Sequence, residues 1–325
     1  MTPKNPKPHL SLAEQVDRLI ERGLQVNDID LAMKTLGRFN YYRLRGYFHV
    51  FLENENESDT QVQTKTNRFL PETTLDNILA IYDFDALLRR ILLDALSEFE
   101  LRLRTSIAYH AGNIDPLVHL NGKGLHTDFT KINANEESSH SIWLRQYQRR
   151  FEESTHEDFV KWHIEEFESE LPIWAAVEIL QFGQLTSLYR GFAQGPASLI
   201  SNDFGVDPAI LKSWAASFND LRNLAAHHSR IWNKQFVKNP KISGSGFPKK
   251  LLHLQDCEEW RLRKLYTQLT VLAWIFSRDQ SDENRVLEIM SLLNGFPVSE
   301  RLSLDQAGFP SNWRELFPWS AHLSK

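Results

Sequence analysis

Between residues 84 and 107, Phe84, Leu88, Ile91, Ala95, Phe99, Leu103 and Ile107 recur at intervals of three and four. That is the period of one face of an α-helix. The pattern begins after Pro71, Thr73 and Thr74 and meets no Gly or Pro before Gly112. It therefore predicts one helix over residues 75–110, capped by the threonines and stopped at Gly112. Such a helix is roughly 50 Å long and cannot bury its apolar stripe alone. The rest of the chain has to supply partners, and no stretch alternates apolar and polar residues for more than a few positions, as a strand would. The expected fold class is all-α, a multi-helix bundle with N- and C-terminal helical extensions.

The chain of 325 residues is long enough for one large helical domain or two modest ones. It divides into an N-terminal aromatic-basic segment (1–70), a core (71–236), and a basic loop with C-terminal helices (237–325). With a net charge of −5, the bulk field opposes nucleic acid, so any RNA contact must come from a local basic patch. One cysteine, Cys257, rules out an intrachain disulfide and suits a reducing compartment. Residues 1–9 have no apolar core of a signal peptide, and the run Leu269–Phe276 is too short to cross a bilayer. A cytoplasmic protein without membrane contact is expected. There is no P-loop, dinucleotide glycine motif, Cys-x-x-Cys pair or Gly-x-Ser-x-Gly elbow. His119, His126, His156 and His163 lack metal-ligand spacing, so neither cofactor nor metal is expected.

In chain order, a proline-rich extended arm (2–9) precedes a capping box at Ser11–Glu14, which opens a helix ending at Gly23. A second helix is expected over 28–36. Phe39 to Phe51 packs six aromatics around Arg43, Arg45 and His49, either an RNA platform or an amphipathic helix with its rings inward. Residues 53–68 and 113–135 read as loops. Helices are expected at 139–153, 156–170, 172–182 and 184–192, with a turn at 203–208. A flexible basic loop spans 238–250, an amphipathic helix 256–278 and another helix 282–293. Trp313, Phe317 and Trp319 lie in an exposed-looking tail.

Residues 218–234 read as part of one helix with two faces. Ile210, Trp214, Phe218, Leu221, Ala225 and Trp232 make its core stripe, with His228 beside it. Asn219, Asn223, His227 and Arg230 lie opposite, and Arg222 sits at the edge. These groups have the chemistry of RNA cleavage. A histidine takes or gives the proton, an arginine holds phosphate oxygens, and an asparagine holds the imidazole. By spacing alone this is a weak signal, and the same residues fit a solvated polar face with a hydrogen-bonded histidine better. The candidate RNA contacts are Arg43, Arg45 and Tyr47, the cluster Arg145, Arg149 and Arg150, and Lys249 and Lys250 of the basic loop.

The stretch Arg222-Asn223-Leu224-Ala225-Ala226-His227-His228-Ser229-Arg230-Ile231-Trp232-Asn233 resembles the signature of the abortive-infection Abi-like family (AbiD and AbiF type), a branch of the HEPN superfamily. Phe39-Asn40-Tyr41-Tyr42-Arg43-Leu44-Arg45-Gly46-Tyr47, Tyr82-Asp83-Phe84-Asp85, Leu87-Leu88-Arg89-Arg90, Glu100-Leu101-Arg102-Leu103-Arg104, Pro172-Ile173-Trp174 and Phe182-Gly183-Gln184-Leu185 are similar to the family in the same order. The resemblance implies a HEPN-like bundle and a metal-independent RNase, usually dimeric, with one motif from each protomer lining a shared cleft. Arg222, Asn223 and His227 match the catalytic pattern, with Glu100 and Arg104 placed to orient Arg222 and with His228 and Arg230 in support. The implied role is antiphage defence or a toxin component. The implied reaction is 2′-hydroxyl attack giving a 2′,3′-cyclic phosphate and a 5′-hydroxyl. Two alternatives stay open: a noncatalytic protein holding a structured non-coding RNA, and a dimeric scaffold.

Overall fold

The structure, a computed structural model, describes residues 8–54, 65–134, 136–167, 170–279 and 283–322. In helix α1 (Leu12–Glu21) the Ser11 hydroxyl accepts from the Glu14 N–H, while the Glu14 carboxylate accepts from the Ser11 N–H. This is the expected capping box. Helix α2 (Ile29–Phe39) ends at Asn40, whose φ of 65° turns the chain sharply and whose side chain caps α3 (Tyr41–Phe48). Strands β1 (Leu52–Asn54) and β2 (Lys65–Phe69) then pair antiparallel. The expected loop at 53–68 is therefore partly sheet, and residues 55–64 lie outside the described residues, as does most of the expected N-terminal arm. The strands escaped detection because they are short and carry Asn54, Asn67 and Arg68 instead of an alternating apolar set.

Helix α4 (Leu75–Gly112) matches the expectation from its stripe. Thr74 and Asn77 cap each other's backbone, and all seven stripe residues are buried. Within the expected 113–135 loop the chain makes two short turns of helix, α5 (Val118–Asn121) and α6 (Thr127–Thr130). Then follow α7 (Ser139–Glu153), α8 (Asp158–Phe167), α9 (Ile173–Ile179), α10 (Phe182–Gly191), α11 (Gln194–Asp203) and α12 (Pro208–Ala226). Helices α3, α9, α10, α11 and α12 all pack along α4. Phe99 in the middle of α4 meets the edges or tilted rings of Phe182, Phe204 and Phe218 at 5.0–6.1 Å. The described residues thus form an all-α fold with a single two-stranded hairpin.

Beyond α12 the expected helix over 256–278 is broken. A 3-10 segment (Lys249–Asp256) and α13 (Glu259–Leu262) precede α14 (Leu265–Phe276), all twelve residues of which are buried. A helix buried all round is a core helix, and its few polar residues, Thr267, Gln268 and Thr270, are buried with the rest. Helix α15 (Glu283–Asn294) packs on both α14 and α4. Trp313 and Trp319 are buried, edge to face at 5.6 Å, so these tail aromatics belong to the core. Nor is the basic loop loose over its first half: Ser217 and Gln268 donate to the Lys238 carbonyl and Trp214 to that of Lys241, at 2.9–3.1 Å.

Candidate functional site

Pro208 occupies the first turn of α12, where its missing N–H costs nothing. The helix buries Ile210, Leu211, Trp214, Phe218, Leu221 and Ala225, which fixes the rotation that brings Arg222 and Asn223 to its edge. Arg222 donates to the Asn223 side-chain oxygen at 3.2 Å and to Glu100 Oε2 on α4 at 3.5 Å. Its guanidinium also lies over the Phe182 ring, 5.9 Å from the centroid. The other Glu100 oxygen accepts from Arg104 at 2.5 Å. Arg104 in turn donates to the carbonyls of Val177 and Leu180, which close the last turn of α9.

One carboxylate therefore sits between two guanidiniums, and the trio carries a net positive charge. Glu100 and Arg104 are each 14% exposed at the side chain and Arg222 is 32% exposed. Arg104 is committed to the fold, whereas Arg222 is half-open and keeps N–H donors to spare. That combination suits an anion at the edge of α12. Asn219, one turn earlier, lies against Gly183, where an added Cβ would come within 3.6 Å of its side-chain oxygen.

The structure corrects the extent of the motif helix. It ends at Ala226, with His227 as the capping residue and His228 left-handed at φ 54°. The His228 N–H reaches the Ala225 carbonyl (3.0 Å) and the Ser229 N–H that of Leu224 (2.9 Å), a Schellman stop. Glycine usually marks such a stop; here a histidine holds the place, which is why the sequence pattern read through it. His227 and His228 are both exposed, so His228 does not lie beside the core. The His227 N–H bonds the Asn223 carbonyl at 2.9 Å. Among the described residues no hydrogen bond or ion pair joins the His227 ring to Arg222, Glu100 or Arg104. The structure thus gathers Arg222, Asn223, Glu100 and Arg104, and leaves His227 about 7 Å further along the axis.

The remaining candidates scatter. Tyr47 is buried and donates to Asp85 Oδ2 at 2.6 Å, so it cannot stack on a base. Arg43 is exposed and donates to the His228 carbonyl at 2.8 Å; Arg45 is exposed on α3. Arg230 is half-buried and donates to the Gly46 carbonyl. Arg145 pairs with Glu137, and Arg149 and Arg150 with Glu153, at 2.6–2.9 Å, so the densest arginine cluster is largely neutralised. Lys249 is exposed, while Lys250 stands over the Phe317 ring at 4.7 Å.

What the sequence reading missed is a buried pair beneath the end of α12. Asp85 is fully buried and Arg89 is 5% exposed. Asp85 accepts from Arg89 (2.6 Å), the Tyr47 hydroxyl and the N–H groups of Ile231 and Trp232 (2.8–3.2 Å). Burial pushes its carboxyl above the usual carboxylate range, opposed by these donors. The available signal was an Asp–Arg pair at i,i+4 set among Ile81, Phe84, Leu88 and Leu92, the inward side of α4.

No helix among the described residues is long and apolar enough to cross a membrane. No curated protein and no solved structure matches the chain. The family model described as Abi-like protein matches residues 34–233. That span runs from α2 through the last ligands of Asp85 and takes in Glu100, Arg104, Arg222, Asn223 and His227. The chain belongs to the Abi-like protein family.

Proposed function

We propose that this chain is a metal-independent endoribonuclease of the HEPN type that acts on RNA as a homodimer. Membership of the Abi-like family suggests abortive-infection defence, and RNA cleavage is an activity suited to it. The observation that carries the reading is the half-open Arg222, held by Glu100 and Asn223 on the helix that ends at an exposed His227. His227 exchanges protons with the 2′-hydroxyl or the 5′-oxygen. Arg222 stabilises the charge that builds on the phosphorane, and Asn223 orients the imidazole. The product ends are a 2′,3′-cyclic phosphate and a 5′-hydroxyl.

Within one chain His227 and Arg222 do not touch, and a shared cleft resolves this by setting one protomer's histidine against the other's arginine. A seam is supported by Leu101, Tyr109 and Trp174, which are 50–75% exposed; Leu101 follows Glu100 on α4, and Tyr109 and Trp174 lie toward the end of that helix. Trp174 lies against Gly112, where an added Cβ would meet its ring at 3.1 Å. Light scattering on wild type and Tyr109→Asp tests the seam: the account expects a dimer that the aspartate splits, with loss of cleavage. A monomeric, fully active wild type would refute the shared cleft.

The reading without catalysis, a carrier of structured RNA, draws on the exposed Arg43 and Arg45 and on Lys249. Protein purified in high salt separates the two. A single dominant RNA that co-purifies and is never cut favours the carrier, whereas cyclic-phosphate ends that vanish in His227→Ala favour the nuclease.

A further inference from the structure

The chain just beyond His227 is tied down residue by residue. We propose that these ties form a clamp that fixes the direction in which the His227 side chain leaves the backbone, with Arg43, Asp85 and Arg89 as positioning residues. The inference rests on His227 being the proton-transfer group of the site.

Five consecutive residues each receive or make a bond to α3 or α4. Arg43 donates to the His228 carbonyl at 2.8 Å, and Arg89 to that of Ser229 at 3.4 Å. The Arg230 guanidinium donates to the Gly46 carbonyl on α3. Ile231 and Trp232 give their N–H groups to Asp85. The first of these residues, His228, holds φ 54°, a conformation that a β-carbon disfavours. Such a backbone persists only where its surroundings over-determine it, and here the clamp does so.

His227 lies between two fixed bodies. Behind it is α12, whose Asn223 carbonyl accepts its N–H at 2.9 Å; ahead of it is the clamped turn. Its Cα–Cβ direction is therefore set by side chains from parts of the chain more than 130 residues earlier, although none of them touches its ring. Arg43 is the outermost member and is itself exposed, so it can be replaced without opening the core. Arg43→Ala removes the donor; Arg43→Gln keeps a neutral donor and loses the charge.

The test combines hydrogen exchange over residues 227–233, cleavage kinetics on a short RNA, and thermal melting. Arg43→Ala is expected to speed exchange of the Ser229 to Trp232 amides and to lower kcat, each by about 10-fold, the scale of one hydrogen bond. KM and Tm should stay close to wild type, and Arg43→Gln should recover most of kcat. Unchanged exchange and kcat in Arg43→Ala would overturn the clamp. So would a matching rise in KM for both variants, which would make Arg43 a phosphate contact. If the wild-type protein cuts no RNA, the nuclease reading fails and the catalytic role of the clamp with it. The exchange arm then still decides whether the turn is held as described.

Discussion

Replacing Asp85 with asparagine keeps the outline of the side chain and removes its charge. The carboxylate is fully buried and Arg89 nearly so, so no water takes the place of the lost acceptor. One asparagine NH2 must then face either Tyr47 and Arg89 or the N–H groups of Ile231 and Trp232, donor against donor. Two charge-assisted bonds at about 1.5–3 kcal/mol each, or equivalently one broken buried pair, put the cost near 4 kcal/mol. That is a large share of the roughly 5–15 kcal/mol that holds an ordinary domain. Urea unfolding at neutral pH measures it as a lower midpoint with an unchanged slope. Arg89→Met should cost a similar amount. The double variant Asp85→Asn/Arg89→Met should cost clearly less than the two singles together, because it leaves no unpaired buried charge. A single Asp85→Asn variant within about 1 kcal/mol of wild type, or strict additivity in the cycle, would show that the pair is not the keystone described.

Three further outcomes follow from the same contacts. His119 is fully buried with neither ring nitrogen hydrogen-bonded, and burial pushes its pKa down from 6.5 to about 4. The unfolded chain then binds more protons between those values, so stability is intact above pH 6.5 and falls by roughly 3 kcal/mol as the pH drops toward 4; denaturation midpoints across that range should flatten in His119→Phe. His228→Gly removes the β-carbon at φ 54° and should raise stability by about 0.5–1 kcal/mol, read as a higher Tm with cleavage retained. Glu100→Gln frees Arg222 from its ion partner; cleavage should drop about 10-fold while stability changes by no more than about 1–2 kcal/mol, checked by kinetics beside thermal melting.

How far the sequence reaches is clearest where the same physics succeeds and then fails. The stripe of α4 carries its own stop, Gly112, and the helix ends there. In α12 the stop is His228, held left-handed by Arg43, Asp85 and Arg89 from distant segments, so local pattern ran the helix eight residues past Ala226. Arg222 and Asn223 are legible as site candidates because they fall on the family signature; their spacing alone does not separate them from a solvated polar face. Asp85 and Arg89 stand in the matching motifs as well, but charge on a long helix reads as surface until the fold shows it inside. Tyr47 fails the opposite way: an aromatic between Arg45 and His49 fits a base platform as well as an inward ring, and the core took it.

The measurement closest to the central claim is cleavage of a mixed set of short RNAs by the purified protein in excess EDTA, with end analysis of the products. The account predicts fragments ending in a 2′,3′-cyclic phosphate and a 5′-hydroxyl, abolished in both His227→Ala and Arg222→Ala while both variants melt like wild type. Cleavage undiminished in His227→Ala, or activity that needs an added divalent metal, would contradict it.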